Sequence, residues 1–331
     1  AESPDTGEIV RGITSIDRIS VLSLEGSGMV GIPGFSKRLF DALSRAEINV
    51  ILITQSSSEH SICVAIEEKH SDRAKRVVDR EFEYEINIGK IDPLKVESGF
   101  SILALVGDRM KEHTGVSGKM FSTLGHNGIN IHAIAQGSSE RNISAIIGSK
   151  DVRKAVNTLH EEFFSDGRKQ INLFIVGVGT VGSRLLEQLR QQHDYLLENL
   201  RVNVRVVGLA NSKRLIVDEE GIDLERWREV LSGPSENEMK PAETAGVIVE
   251  RNLRNSVFAD ITADSGVVEM YPPLLEKSVS VIACNKVAAS SAYERYSALK
   301  DLAREYNANF LFETNVGAGL PVINTLNDLM R

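Results

Sequence analysis

The 331 residues carry 38 Lys and Arg against 46 Asp and Glu, a formal charge of −8, which leaves no basic footprint for a nucleic-acid backbone or an anionic membrane. Hydrophobic residues at 42% and charged residues at 25% are the balance of a globular chain with two or three cores. No apolar run approaches the roughly 20 residues that span a bilayer, the opening AESPDTGEIV lacks a signal-peptide core, and Cys63 and Cys284 sit in apolar strand-like runs, so the chain reads as cytoplasmic and free of disulfides.

Residues 1–14 carry a Pro4, Asp5, Gly7 turn signal and read as the tail of a linker from something longer. Beyond them lies an internal repeat. INVILITQSSSEHSI from Ile48 and INIHAIAQGSSERNI from Ile129 match at an offset of 81 residues without a gap. Upstream, Leu24, Met29, Gly34, Ser36, Phe40 and Leu43 meet Leu105, Met110, Gly115, Ser117, Phe121 and Leu124 at the same offset, so the region is a duplication.

Each copy, 15–97 and 98–165, reads as β-α-β-β-α: a strand (ISVLSLEG; FSILALVG), a glycine turn, an amphipathic helix, two strands and a second helix (DRAKRVVDREFE; DVRKAVNTLHEEF), with a last strand at YEINIGKI. Such a unit forms two layers, and paired units extend one sheet. The turns Gly26 to Gly31 and Gly107 to Gly115 run into helices, where exposed amides suit a carboxylate. Asn49 and Asn130 begin the second strand of each copy and Gln55 and Gln136 end it, offering amide groups to a free amino acid; capping of strand ends is the alternative use of these residues.

Residues 166–170 are polar and mark a linker. INLFIVGVGTVGSRLLEQLRQ then joins a continuous apolar strand, a G-x-G-x-x-G turn and a helix, the context in which this pattern denotes a dinucleotide-binding Rossmann fold over 171–317. Gly177 permits the tight turn, Gly179 admits a pyrophosphate, Gly182 allows close helix packing, and Val178, Thr180 and Val181 complete the loop. The next strand ends in Ala210-Asn211-Ser212-Lys213-Arg214 without the acidic residue usual for NAD, and Lys213 and Arg214 suit a 2′-phosphate, which favours NADP over NAD. SGPSENEMKPAETAG, 232–246, reads as a loop without chemistry. Strands VFADITA, VSVIACN and NFLFET follow, with helices GVVEMYPPLLEKS and 292–305 between them, and Thr262 and Asn285-Lys286 fall at strand ends facing the ligand crevice.

The repeat, with GMVGIPGFSKRLFDALSRAEINVILITQSSSEHSI and GINIHAIAQGSSERNIS, resembles the tandem ACT domains of aspartokinases. VGVGTVG, LANSKR, DITA, NKVAAS and FETNVGAGLPVINTL resemble the nucleotide-binding domain of homoserine dehydrogenase. In that order they resemble the bifunctional aspartokinase–homoserine dehydrogenase family. The resemblance implies tandem ferredoxin-like ACT domains before a Rossmann doubly wound parallel sheet, an amino-acid effector such as threonine at Gln55 and Gln136, and a homo-oligomer. It implies exchange of homoserine and aspartate semialdehyde with NADP or NAD, Lys286 handling the hydroxyl proton at a value lowered by partial burial. It further implies a monovalent cation such as sodium at Glu313 and the carbonyls of Val316, Ala318 and Leu320, for which capping of nearby amides by Glu313 is the alternative. Residues 318–331 then begin a catalytic and dimerisation domain that, like the kinase domain, is missing here, and the chain alone should turn over homoserine poorly. A non-catalytic amino-acid and dinucleotide sensor and a structural connector are the rival readings.

Overall fold

The computed structural model describes residues 9–29, 32–55, 60–107, 110, 113–136, 142–164, 168–233 and 237–330. Val30 and Gly31 of the first expected glycine turn, Asp108, Arg109, Lys111 and Glu112 of the second, and Asp166 and Gly167 of the expected linker lie outside them. Two compact units form, residues 1–121 with 129–156 and residues 122–128 with 157–331, so the division does not follow the expected linker.

The first half of the chain runs β1 (Val10–Glu25), α1 (Phe35–Arg45), β2 (Val50–Gln55), β3 (Ser61–Glu67), α2 (Ser71–Glu81) and a short α3 (Glu83–Asn87). The order then recurs as β4 (Lys95–Gly107), α4 (Val116–His126), β5 (Ile131–Gln136), β6 (Asn142–Gly148) and α5 (Val152–Phe164). β1 thus starts inside the stretch expected to be linker. All six strands join one sheet in the order β2-β3-β1-β4-β6-β5. The duplication reappears in the register: Ile19 faces Phe100 across the two central strands, and the outer pairings Ile19 with Glu67 and Phe100 with Gly148 are equivalents at the 81-residue offset. The sheet curls until its edge strands β2 and β5 come near each other.

Helical spacing accounts for α1, in which Phe35, Leu39, Ala42 and Leu43 form one buried stripe; Val116, Met120 and Leu124 repeat it in α4. The strand expected at YEINIGKI is not formed. Phe82 and Ile86, four residues apart, face the same core and favour a turn of helix, and the tight turn at Gly89 (φ +68°) ends it.

The second half contains β7 (Lys169–Val176), α6 (Thr180–Glu198), β8 (Val202–Ala210), β9 (Arg214–Val217), α7 (Trp227–Ser232), β10 (Asn237–Glu238) and α8 (Pro241–Arg251). It continues with β11 (Ser256–Asp260), α9 (Ser265–Val268), α10 (Tyr271–Leu275), β12 (Ser280–Ala283), α11 (Tyr293–Glu305), β13 (Phe310–Leu311) and α12 (Val322–Leu329). Seven strands form a sheet in the order β10-β9-β8-β7-β11-β12-β13. β8, β7, β11, β12 and β13 run parallel, while β9 turns back, antiparallel to both of its neighbours, β8 and β10. β7 is apolar at successive positions because both its faces are covered: Phe174 and Val176 enter one core with Phe258 and Val281, Leu173 and Ile175 another with Leu186 and Trp227. The helix expected at GVVEMYPPLLEKS breaks into α9 and α10 before Pro272 and Pro273, which lack amide donors. The loop expected at 232–246 instead contains the start of α8, with Pro241 in its first turn.

Candidate functional site: a dinucleotide crevice

Strand register aligns the site. Val176 pairs with Ala210 on one side and Asp260 on the other, and Asp260 pairs with Ala283, so four parallel strands end at one edge of the sheet. The residues after each end, Gly177, Asn211, Ile261 and Cys284, therefore open the segments carrying the predicted site residues. A cavity of about 620 Å³ lies there, within the range of small-molecule sites. Gly177, Val178, Gly179, Asn211, Ser212 and Thr262 line it.

The three glycines of the motif have separate physical roles. Gly177 adopts φ +99°, and a Cβ there would lie 2.6 Å from the Ile261 carbonyl oxygen. A Cβ on Gly182 would lie 2.0 Å from the Gly177 carbonyl oxygen, so this glycine lets α6 close on the turn. Around Gly179 no atom stands within 4 Å of a Cβ position, which leaves the approach to the helix start open. Thr180 and Val181 form the exposed first residues of α6, where amides lack intrahelical partners and favour anions. This cradle fits a dinucleotide pyrophosphate.

The end of β8 departs from expectation. Ala210 is fully buried, and the Asn211 side chain accepts hydrogen bonds from the amides of Lys213 (2.8 Å) and Arg214 (2.9 Å), closing a tight turn. Arg214 donates to the carbonyls of Ser232 and Gly233, and neither it nor Lys213 is among the cavity-lining residues. Arg228 lines the cavity instead, its guanidinium 4.5 Å from the centre of the Trp227 ring. Trp227, Leu231, Met239 and Pro241 join it. Sequence reading missed these five; their one local signal was the chain's lone tryptophan, ahead of the segment read as loop.

Thr262 borders the cavity, but its hydroxyl donates to Asp260 (2.7 Å) and accepts from the Asp264 amide (3.2 Å). Lys286 follows β12 at the same sheet edge; it is exposed rather than partly buried, and it does not line the cavity. Nearby, burial, then the charge of Asp260 and the hydrogen bond to it, push the Tyr271 phenol far above its ordinary range.

Glu313 accepts the amides of Ile323 (2.8 Å) and Asn324 (2.9 Å), capping the start of α12, and the Leu320 carbonyl accepts the Val322 amide (2.9 Å). Val316 and Leu320 are exposed and Ala318 has φ +51°. The donor set is oxygen-only, as a hard cation requires, yet a cation would compete with two amides for the carboxylate.

In the repeats, Asn49 and Gln55, like Asn130 and Gln136, flank opposite ends of a six-residue strand, roughly 20 Å apart at 3.3 Å per residue, so the two amides of one copy do not converge. All four side chains are exposed, and Gln136 accepts from the Ser117 hydroxyl (3.3 Å) at the start of α4. The amides of the Gly26 turn are engaged: Gly26 donates to His60 (3.1 Å), Gly28 to Lys90 (3.0 Å) and Met29 to Gly26 (3.2 Å). The expected carboxylate cradle is therefore absent from these three residues.

Residues 22–82 and 103–163 each match the ACT domain family, and residues 177–313 match the family described as homoserine dehydrogenase, NAD binding domain. Fold and crevice thus define a protein that joins tandem ACT domains to an NAD-binding domain. The chain is 40% identical over 324 residues to a bifunctional aspartokinase/homoserine dehydrogenase of Haemophilus influenzae, covering 97% of this chain and 39% of that protein. It is 37% identical over 322 residues to the chloroplastic bifunctional aspartokinase/homoserine dehydrogenase 2 of Arabidopsis thaliana, covering 97% and 35%. The chain corresponds to the ACT regulatory region and NAD-binding part of these bifunctional enzymes and spans less than two fifths of their length. Among solved structures, the aspartokinase alpha and beta subunits align at 23% identity and a TM-score of 0.41, over 46% of this chain and 98% of that one. No described helix is long and apolar enough to cross a membrane.

Proposed function

We propose that the second half of the chain binds NADP for a homoserine dehydrogenase and that the repeats bind an amino-acid effector, threonine, in a homo-oligomer whose natural full-length form also phosphorylates aspartate. One observation carries the dehydrogenase reading: an open cradle at Gly179, between two glycines that cannot accept a Cβ, faces a cavity at the shared end of the parallel strands. Bound nicotinamide supplies hydride exchange with homoserine or aspartate semialdehyde. The chain's part is to hold the pyrophosphate at the start of α6, to shelter the cofactor along Trp227, Leu231 and Met239, and to accept or return the hydroxyl proton at Lys286 Nζ. Arg228 supplies the positive charge for a 2′-phosphate in place of Arg214, whose guanidinium is held by carbonyls. A sodium ion at Glu313, Val316, Ala318 and Leu320 shares its carboxylate with α12, and no proton or hydride step runs through it.

Fluorescence titration with NADPH and NADH tests this: NADPH binds at least tenfold more tightly, and Arg228→Ala removes most of that preference. Equal affinities overturn the NADP assignment, and absence of binding by either overturns the cofactor reading. The exposure of Lys286 favours a second reading, a dinucleotide-binding sensor without turnover. Lys286→Ala in the natural full-length protein separates the two, since unchanged turnover removes Lys286 from the chemistry. Calorimetric threonine titration of Gln55→Ala and Gln136→Ala tests the effector site, with a loss of about 1–3 kcal/mol expected in each.

A further inference from the structure

Asp260, at the end of β11, is fully buried, and its two carboxylate oxygens receive four hydrogen bonds. Oδ1 accepts the backbone amide of Thr262 (2.8 Å) and the Thr262 hydroxyl (2.7 Å). Oδ2 accepts the Tyr271 hydroxyl (2.7 Å) and the Asn285 side-chain amide (2.9 Å). The first oxygen holds the cavity-lining turn after β11, and the second holds the turn after β12, which carries Lys286. Asn285 is buried and fixed in one orientation: its amide nitrogen also donates to the Asp264 carbonyl (2.9 Å), and its oxygen accepts the Val287 amide (3.1 Å). Its own carbonyl accepts the Asn315 side chain (3.2 Å), which brings the segment after β13 into the same network.

We infer that Asp260 is a positioning residue that sets the Lys286 turn against the cofactor crevice by bridging Thr262 and Asn285. This inference rests on the dehydrogenase reading of the crevice. Nothing in Asp260 touches the cavity; it acts through the groups it holds.

The donor pattern makes the consequence of an isosteric change specific. An amide at 260 has one acceptor oxygen and one NH2. The Thr262 backbone N–H cannot be inverted, so the oxygen stays on that side and the NH2 turns toward Tyr271 and Asn285. The Tyr271 hydroxyl rotates and accepts. Asn285 cannot flip without losing its bonds to Asp264 and Val287, so two NH2 groups face each other and that tie breaks. Asp260→Asn therefore releases the Lys286 turn while leaving the glycine cradle in place.

The test combines three measurements on Asp260→Asn, Asn285→Ala and the double variant. In this chain, NADPH affinity stays within threefold of wild type and hydrogen exchange accelerates at least tenfold in 284–290 but not in 177–182. In the natural full-length protein, homoserine turnover falls at least tenfold for each single variant, with the KM for NADP changed less than threefold, and the double variant loses no more than threefold beyond the worse single one. Unchanged exchange in 284–290, unchanged kcat, multiplicative losses in the double variant, or equal weakening of NADPH binding and turnover with a general loss of thermal stability each overturn the inference. Exchange in 284–290 is read without cofactor, so failure of wild type to bind NADPH overturns the cofactor reading and is distinguishable from failure of the Asp260 bridge.

Discussion

Two glycine turns follow the first strand of their respective regions and run into a helix, and they serve opposite ends. In the repeat, a Cβ on Gly26 would stand 2.4 Å from the Lys90 carbonyl oxygen, and the turn's amides donate to neighbouring backbone. In the nucleotide region, Gly177 and Gly182 are crowded in the same way, but Gly179 between them faces open space. A glycine needed for close chain approach and one needed for ligand approach look alike in sequence. What separates them is whether a neighbouring backbone segment or a cavity occupies the space beyond Cα.

The largest effect that sharpens this contrast is expected at Gly182. Gly182→Ala places a methyl against the Gly177 carbonyl, costing about 3 kcal/mol of stability and abolishing NADPH binding, as thermal denaturation and fluorescence titration together will show. Gly26→Ala is expected to destabilise comparably while leaving NADPH affinity unchanged. Gly179→Ala meets no neighbour, so it keeps the melting temperature within a few degrees yet weakens NADPH about tenfold; full affinity in this variant would break the distinction between the two turns.

A second contrast concerns buried charge. Asp260 is fully hydrogen-bonded in the nucleotide region, whereas burial lowers Lys154 on α5 from an ordinary 10.5 to about 8, with Asp151 opposing the shift only in part. Between about 8 and 10.5 the unfolded chain binds this proton more readily than the folded one, so stability from this group rises with pH through that window; below it, both states are protonated and the full penalty stands. Lys154→Met should therefore stabilise the protein by up to about 3 kcal/mol at pH 7, with the gain vanishing toward pH 10.5 in urea denaturation series. A gain independent of pH would contradict the assigned cause.

The smallest expected effect lies at Glu313. Glu313→Ala removes the cap of α12 and costs about 1 kcal/mol, seen as faster hydrogen exchange in 322–326. If sodium slows that exchange in wild type but not in the variant, the cation site is supported; if sodium has no effect on wild type, the carboxylate serves as a cap alone.

The 81-residue duplication, the alternation of strands and helices and the glycine motif were legible along the chain because they are local patterns of spacing. Apolar periodicity placed α1 and α4, and the continuous apolar run of β7 announced a strand, which the structure covers on both faces. Where two local readings competed, neighbours decided. YEINIGKI has strand-forming residues, but Phe82 and Ile86 share a core and made a helix of it. Arg214 had the right charge for a 2′-phosphate, but the carbonyls of Ser232 and Gly233, 18 and 19 residues away, hold it, and Arg228 lines the crevice.

Sequence alone thus determined the class of each half and the position of the nucleotide-binding strand, since periodicity and turn chemistry act over a few residues. Only the tertiary structure decided which glycine faces open space at the cavity, which cation reaches the cavity and which carboxylate bridges two strand ends. Those properties depend on hydrogen-bond partners and empty space contributed by segments distant in the chain.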